Sequence, residues 1–222
     1  GANIKVTDDT YDISKTILAP TEIIMYESGD TAVENILMAA AKINGTTTIK
    51  FASSNYMVQE MCFFLEKCGV QIEGIGTSTL TVHGIAEINK EIEYTNSQDP
   101  IESMTFIAAA IATDSELTIT HAPIDFLELE LYKLGKMGLK YKVSKKYKSK
   151  NGCTNLADIT VFPSEFIALD DKIHSAPYPA INMDNLPYFV IPALKAKGQT
   201  LIHDWTYENR AIYMTELNKM NA

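Results

Sequence analysis

The sequence predicts an α/β fold built from copies of one β-α-β-α-β-β unit, and three observations predict it. A helix-ending phrase occurs three times, as Leu65-Glu66-Lys67-Cys68-Gly69, Leu134-Gly135-Lys136-Met137-Gly138 and Leu217-Asn218-Lys219-Met220-Asn221. Upstream of it, Ala39-Ala40-Ala41 leads into Gly45-Thr46-Thr47-Thr48-Ile49, as Ala108-Ala109-Ala110 leads into Ser115-Glu116-Leu117-Thr118-Ile119. The third copy offers Ala193-Leu194-Lys195-Ala196-Lys197 before Gly198-Gln199-Thr200-Leu201-Ile202. Ordered self-similarity of this kind marks a repeated supersecondary unit.

Copy one opens on a strand at about Glu22 to Tyr26 and a polar loop, Glu27-Ser28-Gly29-Asp30-Thr31. A helix follows from about Ala32 to Ile43, with Ile36, Leu37, Ala40 and Ile43 at helical spacing. Gly45 is read as its cap, because glycine tolerates a left-handed backbone. Thr46 to Phe51 alternates as a strand does. A second helix from about Asn55 to Lys67 is expected to bury Met57, Met61, Phe64 and Leu65 and to be capped by Gly69. Val70 to Glu73 and Thr79 to Val82 form a hairpin around Gly74 and Gly76.

Copy two gives a helix from Ile101 to Ala112, a strand from Leu117 to Thr120, and a second helix opened by Pro123 or Asp125 and running to Lys136. Phe126, Leu129 and Leu134 are expected to point inward. A lysine-rich hairpin then leads to a closing strand from Asp158 to Phe162. Copy three starts near Asp171-Lys172-Ile173 and passes through Pro177, Pro179 and Pro187 before its first helix. It continues with a strand from Thr200 to Asp204 and a helix from about Asn209 to Met220. It reaches no closing hairpin, so the chain is expected to be part of something longer, with apolar surface exposed on its last helix.

Composition narrows the function classes. The chain has 222 residues, 46% hydrophobic and 21% charged, and a net charge of −9. That acidic balance disfavours nucleic-acid partners, which need a basic face. The local exception is Lys136, Lys140, Lys142, Lys145, Lys146, Lys148 and Lys150, read as a solvated edge hairpin. No apolar run is long enough to cross a bilayer. Cys62, Cys68 and Cys153 have no paired spacing, which suits free thiols in a reducing cytoplasm. His83, His121, His174 and His203 are scattered without metal-ligand or triad spacing, so no metal or cofactor is expected.

Two features remain for chemistry. Arg210 is the single arginine beside 18 lysines, and it sits in Tyr207-Glu208-Asn209-Arg210 at a strand-to-helix junction. There its planar fork can meet a carboxylate or phosphate, or pair with a neighbouring carboxylate such as Glu208. Asp184 follows Pro177-Tyr178-Pro179-Ala180-Ile181-Asn182-Met183 at the start of a helix, as an N-cap or as a base for a substrate hydroxyl.

Together these segments resemble the enolpyruvyl transferases, closest to the branch whose acceptor is UDP-N-acetylglucosamine. Tyr178-Pro179-Ala180, Asp184, Gly198-Gln199-Thr200-Leu201-Ile202 and Glu208-Asn209-Arg210 match the family pattern in order, and Glu34-Asn35-Ile36-Leu37-Met38-Ala39-Ala40-Ala41 with Gly45-Thr46-Thr47 matches earlier. The resemblance implies an inside-out α/β barrel of two three-unit lobes. Residues 1–95 would hold the last repeat of the first lobe, and 96–222 the first two repeats of the second, with a hinge near Tyr94 to Gln98. It implies transfer of an enolpyruvyl group from phosphoenolpyruvate to a sugar 3-hydroxyl, the first step toward peptidoglycan. Asp184 would meet the hydroxyl, Arg210 the enolpyruvyl and phosphate groups, and Gly29, Asp30, Thr31, Thr206 and Glu208 the nucleotide sugar. The family's acid-bearing loop, early lysine and late arginine match no part of this chain. The chain alone is therefore expected to be inactive and to need the missing lobe of its own protein. Pro100 and Met104 stand where the family has Arg and Gly, Asn182-Met183 where it has Pro-Thr, and Glu27 and Asp30 place negative charge beside an expected diphosphate. These departures support an alternative, a non-catalytic paralogue that binds a ligand or partner. An RNA 3′-end enzyme of the same architecture is the other alternative.

Overall fold

The structure is a computed structural model that describes residues 2–15 and 17–220. The chain forms two compact units, one up to Tyr94 and one from Thr95 onward. Each has its own buried core.

The first unit begins with an exposed antiparallel hairpin, β1 (Ala2–Val6) and β2 (Tyr11–Lys15), with Ile4 opposite Ile13. Copy one follows as β3 (Glu22–Ile24), α1 (Asp30–Ala41), β4 (Gly45–Lys50), α2 (Tyr56–Lys67), β5 (Gln71–Glu73) and β6 (Thr79–Gly84). Its sheet runs β3-β4-β6-β5, with β3 parallel to β4 and the other pairs antiparallel. In the second unit α3 (Pro100–Ala112), β7 (Leu117–Ala122), α4 (Glu128–Lys136), β8 (Lys140–Val143), β9 (Tyr147–Lys148) and β10 (Asn155–Phe162) form copy two. Its order β7-β10-β8 is that of β4-β6-β5, so the repeat is topological as well as local. Copy three contributes β11 (Ile173–His174), α5 (Val190–Lys195), β12 (Ile202–His203) and α6 (Tyr213–Leu217), with β11 parallel to β12 as β3 is to β4.

The repeated phrase is a Schellman cap in copies one and two. Gly69 N–H donates to Glu66 O and Val70 N–H to Leu65 O; Gly138 N–H donates to Gly135 O and Leu139 N–H to Leu134 O. The glycines adopt φ of 99° and 112°, which closes the last turn. Leu65, Val70, Leu134 and Leu139 are all buried, each such side chain worth about 1.5–3 kcal/mol. In copy three Asn221 lies outside the described residues.

Several expectations are corrected. Helix α1 starts at Asp30 with Gly29 as N-cap and ends at Ala41, so Gly45 is not its cap. Gly45 begins β4 at φ 127°, where a Cβ would come within 2.5 Å of Pro20 Cγ. The buried face of α2 is Val58, Cys62 and Leu65. Met57 and Met61 are only half-buried and Phe64 is exposed, because Val58 and Cys62 share a stripe with Leu65 that leaves no room for them. Copy two has a 3-10 turn, Ile124–Phe126, and α4 begins only at Glu128. That break carries Leu127 and Leu131 into the core beside Leu134, leaving Phe126 and Leu129 half-buried. The closing strand is longer than expected, starting at Asn155. In copy three the strand shortens to Ile202–His203, and the first helix is a 3-10 turn, Leu186–Phe189, running into α5. The last helix breaks into a 3-10 turn Arg210–Ile212, the short α6 and a 3-10 turn Asn218–Met220. No residue of these three pieces is buried, so no packing face holds a longer helix together.

The segment joining the units is anchored at both ends. Tyr94 donates its hydroxyl to Glu60 (2.9 Å) and stacks edge-on against Phe64 of α2. Gln98 accepts from Ser149 at 3.1 Å. Thr95, Asn96 and Ser97 lie between these anchors. Among the described residues no helix is long and apolar enough to cross a membrane.

Candidate active site

The second unit brings Asp184 and Arg210 together. Arg210 does not pair with Glu208, which is exposed. Its Nε donates to Asp204 Oδ2 at 3.0 Å, its Nη1 to Asp184 Oδ1 at 3.3 Å, and its Nη2 to the carbonyl of Met183. The guanidinium also lies 5.0 Å from the ring centroid of Tyr207. The Asp204 side chain is fully buried, and its Oδ1 has no hydrogen-bond partner among the described residues. Asp184 is 49% exposed, so one side of the pair is anchored in the protein and the other faces solvent.

Local structure explains this arrangement. Asn209 adopts φ 58° and turns the chain so that Arg210 leads back toward Asp204. Asp184 caps no helix: its own N–H donates to Asn182 Oδ1 (2.8 Å) and the N–H of Asn185 to Asn182 O (3.0 Å), a tight turn ahead of Pro187. The chain enters that turn through a cis Tyr178–Pro179 peptide, with the Tyr178 ring 5.4 Å from Phe126. Thr206 shares a hydrogen bond of 3.0 Å with Ser175, and Trp205 Nε1 donates to Ser175 O, so the strand end before Arg210 is fixed.

Gly29, Asp30 and Thr31 lie in the first unit, at the start of α1. Asp30 accepts from the Ser53 hydroxyl and from Asn55 Nδ2 (2.8 Å), both from the start of α2. These two neutral donors hold the Asp30 carboxyl group in place at the start of α1. Glu34, one turn along α1, has its carboxyl pushed up by burial and then by Asp30.

The sequence reading missed three groups. Asp204 and the Ser53–Asn55 pair escaped it because each partner comes from another element. Glu130, 3% exposed on α4, left a clearer trace: it falls on the helical stripe of Leu127, Leu131 and Leu134, where a charge is out of pattern. The lysine run is engaged locally. Lys146 bridges Asp125 (2.6 Å) and Glu128 (2.9 Å), Lys148 donates to Cys153 O, and Lys142 and Lys136 lie over Phe162 and Tyr132. Pro100 opens α3 behind Asp99, whose carboxylate accepts from Ile101 N–H, and Met104 is core. Among the described residues no group of three or more His, Cys, Asp and Glu side chains could hold a metal ion.

The repeated α/β scaffold is that of a known class, and the chain belongs to it: the family model described as EPSP synthase (3-phosphoshikimate 1-carboxyvinyltransferase) matches residues 1–222. Within that family it resembles UDP-N-acetylglucosamine 1-carboxyvinyltransferases. One, from Sulfurimonas denitrificans, is 35% identical over 193 residues, 86% of this chain and 43% of the relative. Another, from Campylobacter hominis, is 33% identical over 223 residues, covering 100% of this chain and 50% of its own length. The chain thus spans about half the length of the curated relatives it matches. Among solved structures the fold matches the enolpyruvyl transferase NikO from Streptomyces tendae, with a TM-score of 0.76 at 23% identity, covering 98% of this chain and 52% of that one. EPSP synthase from Acinetobacter baumannii matches with a TM-score of 0.72 at 18% identity, covering 99% and 50%.

Proposed function

We propose that this chain carries part of the site of a transferase that moves enolpyruvyl from phosphoenolpyruvate to the 3-hydroxyl of UDP-N-acetylglucosamine. The observation that supports it is the Asp184–Arg210 pair, buried at Asp204 and open at Asp184, in a chain whose relatives carry that name. The acceptor O–H adds across the C2=C3 bond of the donor; the C2–O bond to phosphate then breaks and a C3 proton leaves, restoring the double bond. In this reading the Asp184 carboxylate takes the hydroxyl proton, and its exposure lets a sugar reach it. Arg210, held by Asp204, presents fixed positive charge where phosphate charge develops. Thr206 and Glu208, near Arg210 in the second unit, would contact the nucleotide sugar. The other groups of the site, including the acid that protonates C3, are assigned to residues outside these 222, so the chain alone is expected to be inactive. The reaction would open peptidoglycan precursor synthesis in the cytoplasm, where the three free thiols are at home. Residues 1–95 and 96–222 would belong to the two lobes, hinged between Tyr94 and Gln98.

One observation favours a second reading, a ligand-binding paralogue without catalysis. Nε, Nη1 and Nη2 of Arg210 are all engaged by the chain's own acceptors, leaving fewer donors for a phosphate. Calorimetric titration with UDP-N-acetylglucosamine, with phosphoenolpyruvate and with a short RNA tests these readings. Saturable UDP-sugar binding weakened by Asp184→Ala supports the first. UDP-sugar binding untouched by that change favours the second, and RNA binding with a steep salt slope would overturn both.

A further inference from the structure

The turn that carries Asp184 rests on a buried carboxylate. Glu130 Oε1 accepts from the backbone N–H of Asn182 at 3.2 Å and from Asn185 Nδ2 at 3.1 Å, across 52 and 55 residues of sequence. Asn182 and Asn185 flank Asp184 and are joined to each other by the turn itself. Asn185 is fully buried and Glu130 nearly so, so water cannot replace either partner. Asp184 therefore stands on a short bridge whose two ends meet on one oxygen atom. We infer that Glu130 is the positioning residue for Asp184, setting its carboxylate toward Arg210 and toward the acceptor hydroxyl.

Two further facts support this. A carboxylate at a core position of a helix is costly to bury and is retained in folded proteins when its acceptors are used. The second face of the turn is fixed independently, since Arg210 Nη2 donates to the carbonyl of Met183. Glu130 thus holds the two ends of the turn and Arg210 a carbonyl inside it, one accepting from an N–H and the other donating to an oxygen. The role of Glu130 toward the reaction rests on the proposed function; its grip on the turn does not.

Glu130→Gln keeps an acceptor oxygen in place, and Glu130→Leu removes it while filling the space. Amide hydrogen exchange at Asn182, Asp184 and Asn185 is expected to be unchanged in the Gln variant and about tenfold faster in the Leu variant, the loss of one or two buried hydrogen bonds. Exchange in β10 stays as it was in both. If the Leu variant does not fold, Asn185→Ala removes one of the two donors and replaces it. The second measurement is phosphate release from phosphoenolpyruvate and UDP-N-acetylglucosamine by protein expressed from the complete coding region. There kcat is expected to fall about 100-fold in the Leu variant, KM to move far less, and the Gln variant to keep most of the rate. Exchange equal in Leu and wild type overturns the grip on the turn. Faster exchange with unchanged kcat overturns the role in the reaction. Exchange that splits as expected in a protein that releases no phosphate, wild type included, counts against the transferase reading and supports the positioning.

Discussion

Nη1 of Arg210 stands 3.3 Å from Oδ1 of Asp184 while Nε of the same side chain holds the fully buried Asp204 at 3.0 Å. The two carboxylates differ in what the arginine does for them. Removing it leaves the buried Asp204 with only the Tyr213 hydroxyl at 3.4 Å and no cation, so Arg210→Ala is expected to destabilise by about 3 kcal/mol. Asp184→Ala loses only a half-exposed pair and is expected to cost under about 1 kcal/mol. Urea unfolding of the two variants checks this, and equal losses would show that Asp204 is not the anchor.

The two Schellman glycines are unequal in a second way. A Cβ on Gly69 would meet nothing nearer than Ile85 Cδ1 at 3.9 Å, whereas one on Gly138 would fall 2.3 Å from the carbonyl oxygen of Glu165. Gly69→Ala should cost about 1–2 kcal/mol, the backbone term alone. Gly138→Ala adds a clash with backbone that cannot swing away and should cost clearly more in the same thermal melts.

Cysteine chemistry offers an independent check on the α2 core. Burial, with a further contribution from Glu66, pushes the Cys62 thiol up to about 12. At pH 8 it is almost wholly protonated and should resist iodoacetamide in the folded chain, while the half-buried Cys68 and Cys153 react before it. Peptide mass mapping after brief alkylation reads the order directly.

Glu130 makes stability depend on pH in a direction opposite to that of most paired carboxylates. Burial raises its carboxyl above the ordinary 4.5, against the hydrogen bonds from Asn185 and Asn182 that pull it down. The folded state then holds the proton more tightly than the unfolded chain, and stability is lost as pH rises from 4.5 through the folded value. Glu130→Gln has no such proton. Its stability relative to wild type is expected to grow with pH across that window and to level off above it. A difference that stays flat from pH 4 to pH 8 would contradict the shift.

Much of the fold was legible because the repeat writes itself in residues whose physics is local. Leu65-to-Gly69 and Leu134-to-Gly138 need only a glycine after a leucine three places from the helix end. The end of copy three resisted because its last helix has no packing face: with no residue of Arg210–Ile212, Tyr213–Leu217 or Asn218–Met220 buried, periodicity had no core to act on. On α2 and α4 the expected Leu65 and Leu134 are buried, but the rest of each face falls one or two positions along, on the stripes that Val58, Cys62, Leu127 and Leu131 form.

Within the site, Asp184 and Arg210 stood out by type, one after a proline-rich run and one as the single arginine. Their meeting was not readable from spacing, since it depends on the left-handed turn at Asn209 and on a bridge anchored at Glu130. The same logic recurs in copy one, where Asp30 at the start of α1 is met by Ser53 and Asn55 at the start of α2. In copy two Asp125, at the corresponding second position, turns instead to Lys146 and Asn155.

The most direct test is phosphate release by protein expressed from the complete coding region, supplied with phosphoenolpyruvate and UDP-N-acetylglucosamine, in wild type and in Asp184→Asn. The account predicts release that requires both substrates and falls by at least about a hundredfold in the variant, as for loss of a positioned base. Release that persists unchanged in Asp184→Asn, or a wild type that binds the sugar nucleotide and releases nothing, would contradict it.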